Sequence, residues 1–186
     1  MRIGALVLAA GEGRRFGSPK QLALLDGRPL LEHALAAVTG REPRVVVLGH
    51  AAREIRAAVD LQGATPVVCS DWAEGQAASV RCGVAALGDV DAAVVVLGDQ
   101  PRITRAAVEA VAEHGAGAGA EAARATYRGT PGHPILLGRA LLDRAGELHG
   151  DVGFRDLLAG VRVRDVELGD LADPADVDTR EELAGL

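Results

Sequence analysis

At 186 residues the chain suits one α/β-sized domain, expected to span residues 1–186. Apolar residues make up 48% of it and aromatics only 2%, so the core must be built from Ala, Val, Leu and Ile, and a base-stacking platform is excluded. With 26 acidic against 20 basic residues and a net charge of −6, a broad electrostatic grip on nucleic acid or anionic membrane is disfavoured, and any phosphate site has to be local.

Short β-branched runs alternate with amphipathic stretches, which predicts βαβ units and a mostly parallel sheet. Ile3 to Leu8 is the first strand. A helix follows from near Pro29, suited to a first helical position, and carries Leu30, Leu31, Leu35 and Val38 to a stop at Gly40. Arg44 to Gly49 is the next strand, Ala51 to Val59 the second helix, Pro66 to Cys69 the third strand, and Gln76 to Leu87 the third helix, stopped by Gly88. Ala92 to Asp99, AAVVVLGD, is the clearest buried strand, and a helix capped by Thr104 follows it. Four βα repeats thus fill the first two-thirds.

Beyond them, HGAGAGAEAA from His114 reads as a flexible loop. A short strand around Ala125 to Arg128, the strand PILL, a helix from Arg139, a short helix from Phe154 to Ala159, a strand near Val161 to Val166 and a helix from Thr179 complete the chain. No apolar stretch approaches the ~20 residues that span a bilayer and no secretory leader pattern is present, so a cytoplasmic protein is expected. In that reducing setting Cys69 and Cys82 are expected as buried small apolar residues, not a disulfide, and they are too few for a zinc site.

The first loop, LAAGEGRRFGSPKQL from Leu8 to Leu22, crowds glycines and cations behind a strand. It is not a Walker A loop, because Lys20 lies between Pro19 and Gln21 where Gly and Ser or Thr are needed. A dinucleotide-binding turn fails too. Gly11 and Gly13 supply two glycines, but Phe16 takes the third place, and the second strand ends in Leu48, Gly49 and His50 with no carboxylate for a ribose. What remains is either an open loop that wraps a nucleoside triphosphate with backbone N–H groups, Arg15 and Lys20, or an ordinary βα turn with solvated cations.

Other segments bear on that choice. LGDQP, Leu97 to Pro101, sets Asp99 at the carboxyl end of the most buried strand, where α/β proteins bind ligands; it suits Mg²⁺, although a turn aspartate looks the same. In SDWAEGQAASVRCG, Gly75 permits close approach of a ligand to an open helix N-terminus at Gln76 to Ser79; a capped helix beside a half-buried Trp72 is the plainer reading. In GTPGHPILLGR, Gly132, His133 and Pro134 would form a rigid turn, and a histidine there is often structural. Asp178 and Thr179 in DVDTREEL are a candidate ligand followed by a candidate helix cap.

Together these segments resemble the nucleotidyltransferases related to the molybdenum-cofactor guanylyl- and cytidylyltransferases, in family order from Leu8 to Leu183. The first loop is similar to the LAAGxSxRMGxxK signature, departing from it at Glu12, Gly13 and Phe16. LGDQP resembles GD(M/Q)P; Trp72 to Gly83 resembles WxxGxxxS(L/V)xxG; GHPILL resembles GHPV(L/I)F; GDVGFRDLL resembles GDxGxRxLL; and DVDTREEL resembles D(I/V)DTPEDL, with Arg180 in place of the usual Pro.

The resemblance implies a three-layer Rossmann-like sheet, mostly parallel with one antiparallel strand. It implies Arg15, Lys20 and Asp99 as catalytic groups and Asp99 with Asp178 as ligands of Mg²⁺. Leu8, Ala9, Ala10, Gly11, Glu12, Gly13, Lys20, Gly75, Gln76 and Ser79 would contact the nucleotide, and His133, Pro134 and Asp151 the acceptor. The implied reaction moves a nucleoside monophosphate, CMP from CTP on the Leu-Ala-Ala-Gly start, to a phosphorylated acceptor, molybdopterin or its molybdenum form, and releases pyrophosphate. A partner in molybdoenzyme maturation is then expected, and neither nucleic acid nor membrane. Other phosphorylated acceptors (sugars, isoprenoid precursors, phospholactate) with GTP or another NTP are the nearest alternative, and at 186 residues the appended acyltransferase domain of some sugar-nucleotide enzymes is not expected. A nucleotide-binding regulator without turnover is the alternative from another class.

Overall fold

The structure is a computed structural model that describes residues 1–115 and 120–186. Strand β1 (Ile3–Ala9) leads into a long loop and a two-stranded hairpin, β2 (Leu24–Leu25) and β3 (Arg28–Pro29), before α1 (Leu30–Ala37). Then come β4 (Arg44–Leu48), α2 (Ala52–Ala58), β5 (Thr65–Val68), α3 (Gln76–Leu87), β6 (Ala92–Leu97) and α4 (Arg105–Gly115). The remainder is β7 (Ala122–Tyr127), β8 (Thr130–Gly138), α5 (Arg139–Asp143), α6 (Phe154–Leu157), β9 (Val163–Glu167) and α7 (Arg180–Ala184).

Seven strands form one sheet in the order β5-β4-β1-β6-β8-β7-β9. β8 runs antiparallel to both β6 and β7, and the other pairings are parallel, the α/β arrangement that the resemblance implies. Successive side chains of a strand point to opposite faces, so Ala5, Val7 and Ala9 of β1 pack with Leu31, Leu35, Ile55 and Val108 of α1, α2 and α4. Leu6 and Leu8 pack on the other face with Val80, Leu141 and Phe154 of α3, α5 and α6. Both faces being covered, the central strands read as unbroken apolar runs.

β1 lies between β4 and β6, so the winding of the sheet reverses beside it, and a crevice opens at the carboxyl ends of such strands. Leu8 pairs with Leu97, and Gly98 N–H donates to the Leu8 carbonyl at 2.8 Å, so the first loop and Asp99 leave the sheet side by side.

Several expectations need correction. The β2–β3 hairpin, too short to show a period, was not expected. Gly132, His133 and Pro134 do not form a turn: they lie within β8, because a register shift between Arg124 and Ala125 lets the β7–β8 ladder continue through Ala125 with Gly132 to Tyr127 with Thr130. Cys69 and Cys82 are joined in a disulfide with a Cα–Cα distance of 5.9 Å. The crossover from β5 folds α3 back over the sheet, so a 13-residue separation in sequence becomes contact in space. The loop expected from His114 falls partly on residues 116–119, outside the described residues; before them α4 continues to Gly115. Thr104 caps that helix as expected, its hydroxyl accepting from Ala107 N–H at 3.2 Å.

Candidate functional site

The loop after β1 is pegged by Phe16, only 4% exposed, in a small apolar cluster with Leu25, Leu30 and Val177. Ahead of this peg the N–H groups of Phe16 and Gly17 both donate to the Gly13 carbonyl at 3.0 Å, closing a tight turn. Gly13 has φ +69°, and a Cβ there would lie 2.8 Å from the Ser18 carbonyl oxygen, so the turn admits only glycine without strain. Gln21, 3% exposed, donates Nε2 to the carbonyls of Ala9 and Gly11 at 2.8 and 3.0 Å and holds the loop's exit from the sheet. Sequence reasoning missed Gln21; its only signal is a polar residue set against the apolar Leu22. Among the described residues the N–H groups of Glu12, Gly13 and Arg14 find no acceptor, leaving them free for an anion.

Two distant segments bring carboxylates to this loop. Asp99 follows β6, and its carbonyl accepts from Val177 N–H at 2.9 Å, which lays the C-terminal segment alongside. Lys20 Nζ donates to Asp99 Oδ2 at 2.7 Å and to Asp178 Oδ1 at 2.8 Å, while Arg15 Nη2 donates to Asp178 Oδ2 at 2.6 Å. Capping of α7 falls to Thr179, whose hydroxyl accepts from Glu182 N–H at 3.2 Å, and to Glu182, whose Oε2 accepts from Asp178 and Thr179 N–H at 2.7 and 2.8 Å. The Asp178 side chain is therefore released from capping and turned to the cations.

Burial works against the Lys20 charge, but the two carboxylates outweigh it and raise the lysine above its ordinary pKa. The Lys20 hydrogen bond holds Asp178 below the carboxylate range. Partial desolvation, then the charge of Asp99, pushes Asp176 up, a third acid beside the pair that sequence reasoning did not single out. Among the described residues no cluster of three His, Cys, Asp or Glu forms a self-sufficient metal cage. Asp99 and Asp178 converging on one cation fit an ion that takes one or two carboxylates and completes its shell with phosphate oxygens and water.

The cleft has two joined lobes. One of about 250 Å³ is lined by Lys20, Gln21, Gly98, Asp99 and Asp178; the other, about 590 Å³, by Trp72, Ala73, Gly75, Gln76, Ser79 and Asp151, and both share Leu8, Gly11, Gly13, Arg15 and Asp99. Ala9 lines the first lobe and Ala10 and Glu12 the second, where Arg14 Nε holds the Glu12 carboxylate at 2.6 Å. The second lobe rests on a backbone contact. Ala77 N–H donates to the Gly150 carbonyl at 3.2 Å, and a Cβ on Gly75, φ +122°, would sit 2.5 Å from that oxygen. Trp72 packs edge-on against His50 at 5.4 Å between ring centroids.

The acceptor candidates separate. Asp151 lines the second lobe and its Oδ1 lies 3.5 Å from Gln76 N. His133 and Pro134 are not among the residues lining either lobe. The His133 ring packs edge-on against Phe154 at 6.2 Å with its Nε2 buried and unpartnered, and burial pushes its pKa down to about 4.

Residues 5–167 match the family model of the MobA-like NTP transferase domain. Among curated proteins, the bifunctional protein GlmU of Kineococcus radiotolerans is 38% identical over 174 residues, 88% of this chain and 34% of that protein. The chain thus spans about a third of the length of these curated relatives. Among solved structures, Rv0371c of Mycobacterium tuberculosis H37Rv is 32% identical, covering 100% of this chain and 96% of that one with a TM-score of 0.89. A structure of Rv0371C in complex with manganese matches at 30% identity over 100% of this chain and 98% of that one, TM-score 0.85.

Proposed function

This chain belongs to the MobA-like NTP transferase family, and from that premise we propose that it transfers a nucleoside monophosphate from an NTP to a phosphorylated small molecule, releasing pyrophosphate. The observation that carries the reading is the convergence of Lys20, Arg15, Asp99 and Asp178 within 2.6 to 2.8 Å at the mouth of the glycine-rich loop. It sits at the crevice where the sheet's winding reverses.

In this reading residues 1–186 act as one NTP transferase domain. The free N–H groups of the first loop cradle the triphosphate, and Gly75, Gln76 and Ser79 border the base. An acceptor phosphate oxygen attacks the α-phosphorus in line; the new P–O bond forms as the bond from the α-phosphorus to the α,β-bridging oxygen breaks, and pyrophosphate leaves with the pair of that bond on its oxygen. An acceptor phosphate that is already ionised needs no general base. Lys20 and Arg15 offset the charge that builds on the leaving pyrophosphate, and positioning supplies the rest. Asp99 and Asp178 would hold a divalent ion, Mg²⁺ in our reading, which neutralises phosphate charge when bound. The manganese reported with Rv0371C supports divalent-ion use.

We assign CTP as the donor and molybdopterin or its molybdenum form as the acceptor, on the Leu-Ala-Ala-Gly start of the loop, with Asp151 touching the acceptor. His133 and Pro134 would act through Phe154, by fixing the 150–154 segment that carries Asp151. Cytoplasmic location and a partner in molybdoenzyme maturation belong to the same proposal. Among the described residues no helix is long and apolar enough to cross a membrane.

The test is a pyrophosphate-release screen of CTP, GTP, ATP and UTP with Mg²⁺ against phosphorylated acceptors, repeated with Lys20→Ala and Asp99→Ala. Release with one donor–acceptor pair, falling by about 10²-fold or more in both variants, is expected. Silence with every pair, or undiminished release in both variants, defeats the proposal.

A further inference from the structure

Of the chain's 20 basic residues one is a lysine, Lys20. Cationic contacts elsewhere in the fold are made by arginine, for example Arg41 with Glu109, Arg124 with Asp165 and Arg139 with Asp143. Guanidinium is a rigid planar fork matched to one carboxylate, whereas ammonium is a compact point charge with three rotatable donors on a flexible stem. Position 20 uses that difference. Its Nζ sits between two carboxylates at 2.7 and 2.8 Å with the side chain only 12% exposed.

Three of the four oxygens of Asp99 and Asp178 are thereby taken: Asp99 Oδ2 and Asp178 Oδ1 by Lys20, Asp178 Oδ2 by Arg15. A magnesium ion on this pair would need oxygens at about 2.0–2.1 Å. It could not share the space with an ammonium already seated between them. Resting on the metal–nucleotide reading above, we propose that Lys20 is an exchange cation. In the nucleotide-free protein its ammonium fills the place between Asp99 and Asp178, and it swings to the phosphates when a divalent ion and an NTP arrive together.

Two consequences follow. A divalent ion alone meets an occupied site and binds weakly. Nucleotide phosphates give Lys20 and Arg15 somewhere else to go, so nucleotide and metal strengthen each other's binding, by the same factor in both directions. The swing also suits a compact ammonium with rotatable donors better than a rigid guanidinium fork.

The experiment measures Mn²⁺ binding by electron paramagnetic resonance, without nucleotide, to the wild type, Lys20→Met and Arg14→Met. Arg14 is the charge control: it lines the same cleft but is bonded to Glu12. Lys20→Met should bind Mn²⁺ about tenfold tighter than wild type, and Arg14→Met within about twofold of it. Equal affinity in wild type and Lys20→Met, or equal tightening in both variants, overturns the exchange while leaving the metal site intact. Failure of all three proteins to bind Mn²⁺, with or without α,β-methylene-CTP, overturns the metal reading as well.

A measurement on the wild type avoids any folding defect of the variants. Lysine labelled with ¹⁵N at Nζ gives a single side-chain ammonium resonance. It should shift when Mg²⁺ and α,β-methylene-CTP are added together. A resonance that stays put while the pair demonstrably binds refutes the exchange.

Discussion

On the Lys20 side of the cleft, four charged side chains from three remote segments meet at 2.6 to 2.8 Å. On the α3 side the joining contacts end on main-chain atoms: Ala77 N–H donates to the Gly150 carbonyl at 3.2 Å with Gly75 pressed against the same peptide, Arg81 Nη1 donates to the Leu148 carbonyl at 2.6 Å, and Asp151 Oδ1 lies 3.5 Å from Gln76 N. The first half is a charge lattice in which each ion is positioned by its counter-ions. The second is a surface held by contacts to the main chain, and its shape depends on the absence of a side chain at Gly75. Catalysis that works by neutralising phosphate charge needs the first to be exact in electrostatics and the second only in contour.

Neutralising one carboxylate in each half is the sharpest way to break this comparison. Asp99→Asn removes a charge on which Lys20 depends, and kcat/KM for pyrophosphate release should fall about 10³-fold. Asp151→Asn, at the long contact, should cost about tenfold or less and act mainly on KM for the acceptor. Equal losses would mean that the two halves are not different in kind.

Shape is tested next by Gly75→Ala. The new methyl would fall 2.5 Å from the Gly150 carbonyl in a backbone at φ +122°, so the two segments must part. We expect a stability loss of about 1–3 kcal/mol, read by denaturant titration, and a raised KM for NTP, with nucleotide-free Mn²⁺ affinity unchanged because the charge lattice is untouched. A parallel change in Mn²⁺ affinity would show that the halves are mechanically one.

The same difference explains what was legible in the sequence. Lys20 stands out in a glycine-rich loop and Asp99 at a strand end, whereas Asp178 was legible only through the resemblance of DVDTREEL to the family pattern; the fold gathers all three. The four βα repeats were legible because their strands are apolar runs, buried at β1, β4 and β6 and short and part-exposed at the edge strand β5. Gln21 was not, since its task is to bond the carbonyls of Ala9 and Gly11, and no side-chain pattern encodes a backbone acceptor. Nor was the placement of Gly132 to Pro134 in a strand, which depends on a register shift in the neighbouring β7. Nor was the Cys69–Cys82 bond, because a separation of 13 residues in sequence does not show the proximity that a βα crossover creates.

A pH experiment reads the stability of the packing on Phe154, beneath the segment that carries Asp151. His133 gains its proton near 6.5 in an unfolded chain but only near about 4 when buried against Phe154. The unfolded state therefore binds more protons between these values. The stability given by the neutral, buried ring is fully present above pH ~6.5 and drains away as pH falls toward ~4. At about 1.4 kcal/mol per pH unit the loss could reach ~3 kcal/mol, and the partial exposure of the residue trims this to about 2. Melting His133→Phe and wild type at pH 7 and pH 4.5 should show the variant losing less. Identical losses would assign the acid sensitivity to other groups.

The smallest expected effect concerns the peg beneath the charge lattice. Phe16 and Arg180 are two of the places where the sequence departs from the family pattern, Phe for Met and Arg for Pro, and in the fold they touch. The Arg180 guanidinium lies 5.1 Å from the centroid of the Phe16 ring, and its Nη2 is 3.4 Å from Ser18 Oγ. A methionine would fill the apolar cluster but would not offer a ring face, and a proline at the head of α7 would have nothing to reach with. The pair thus straps the C-terminal helix, and with it Asp178, to the loop that carries Lys20. An exposed cation–π contact is worth about 0.5–1 kcal/mol. Arg180→Ala should cost about that much, and Phe16→Met about 1 kcal/mol. In the double variant the losses should fall short of additive by about 0.5 kcal/mol, since the contact can be lost only once. Strict additivity by denaturant titration would mean that the two residues are neighbours without coupling, and that Phe16 is held by its apolar cluster alone.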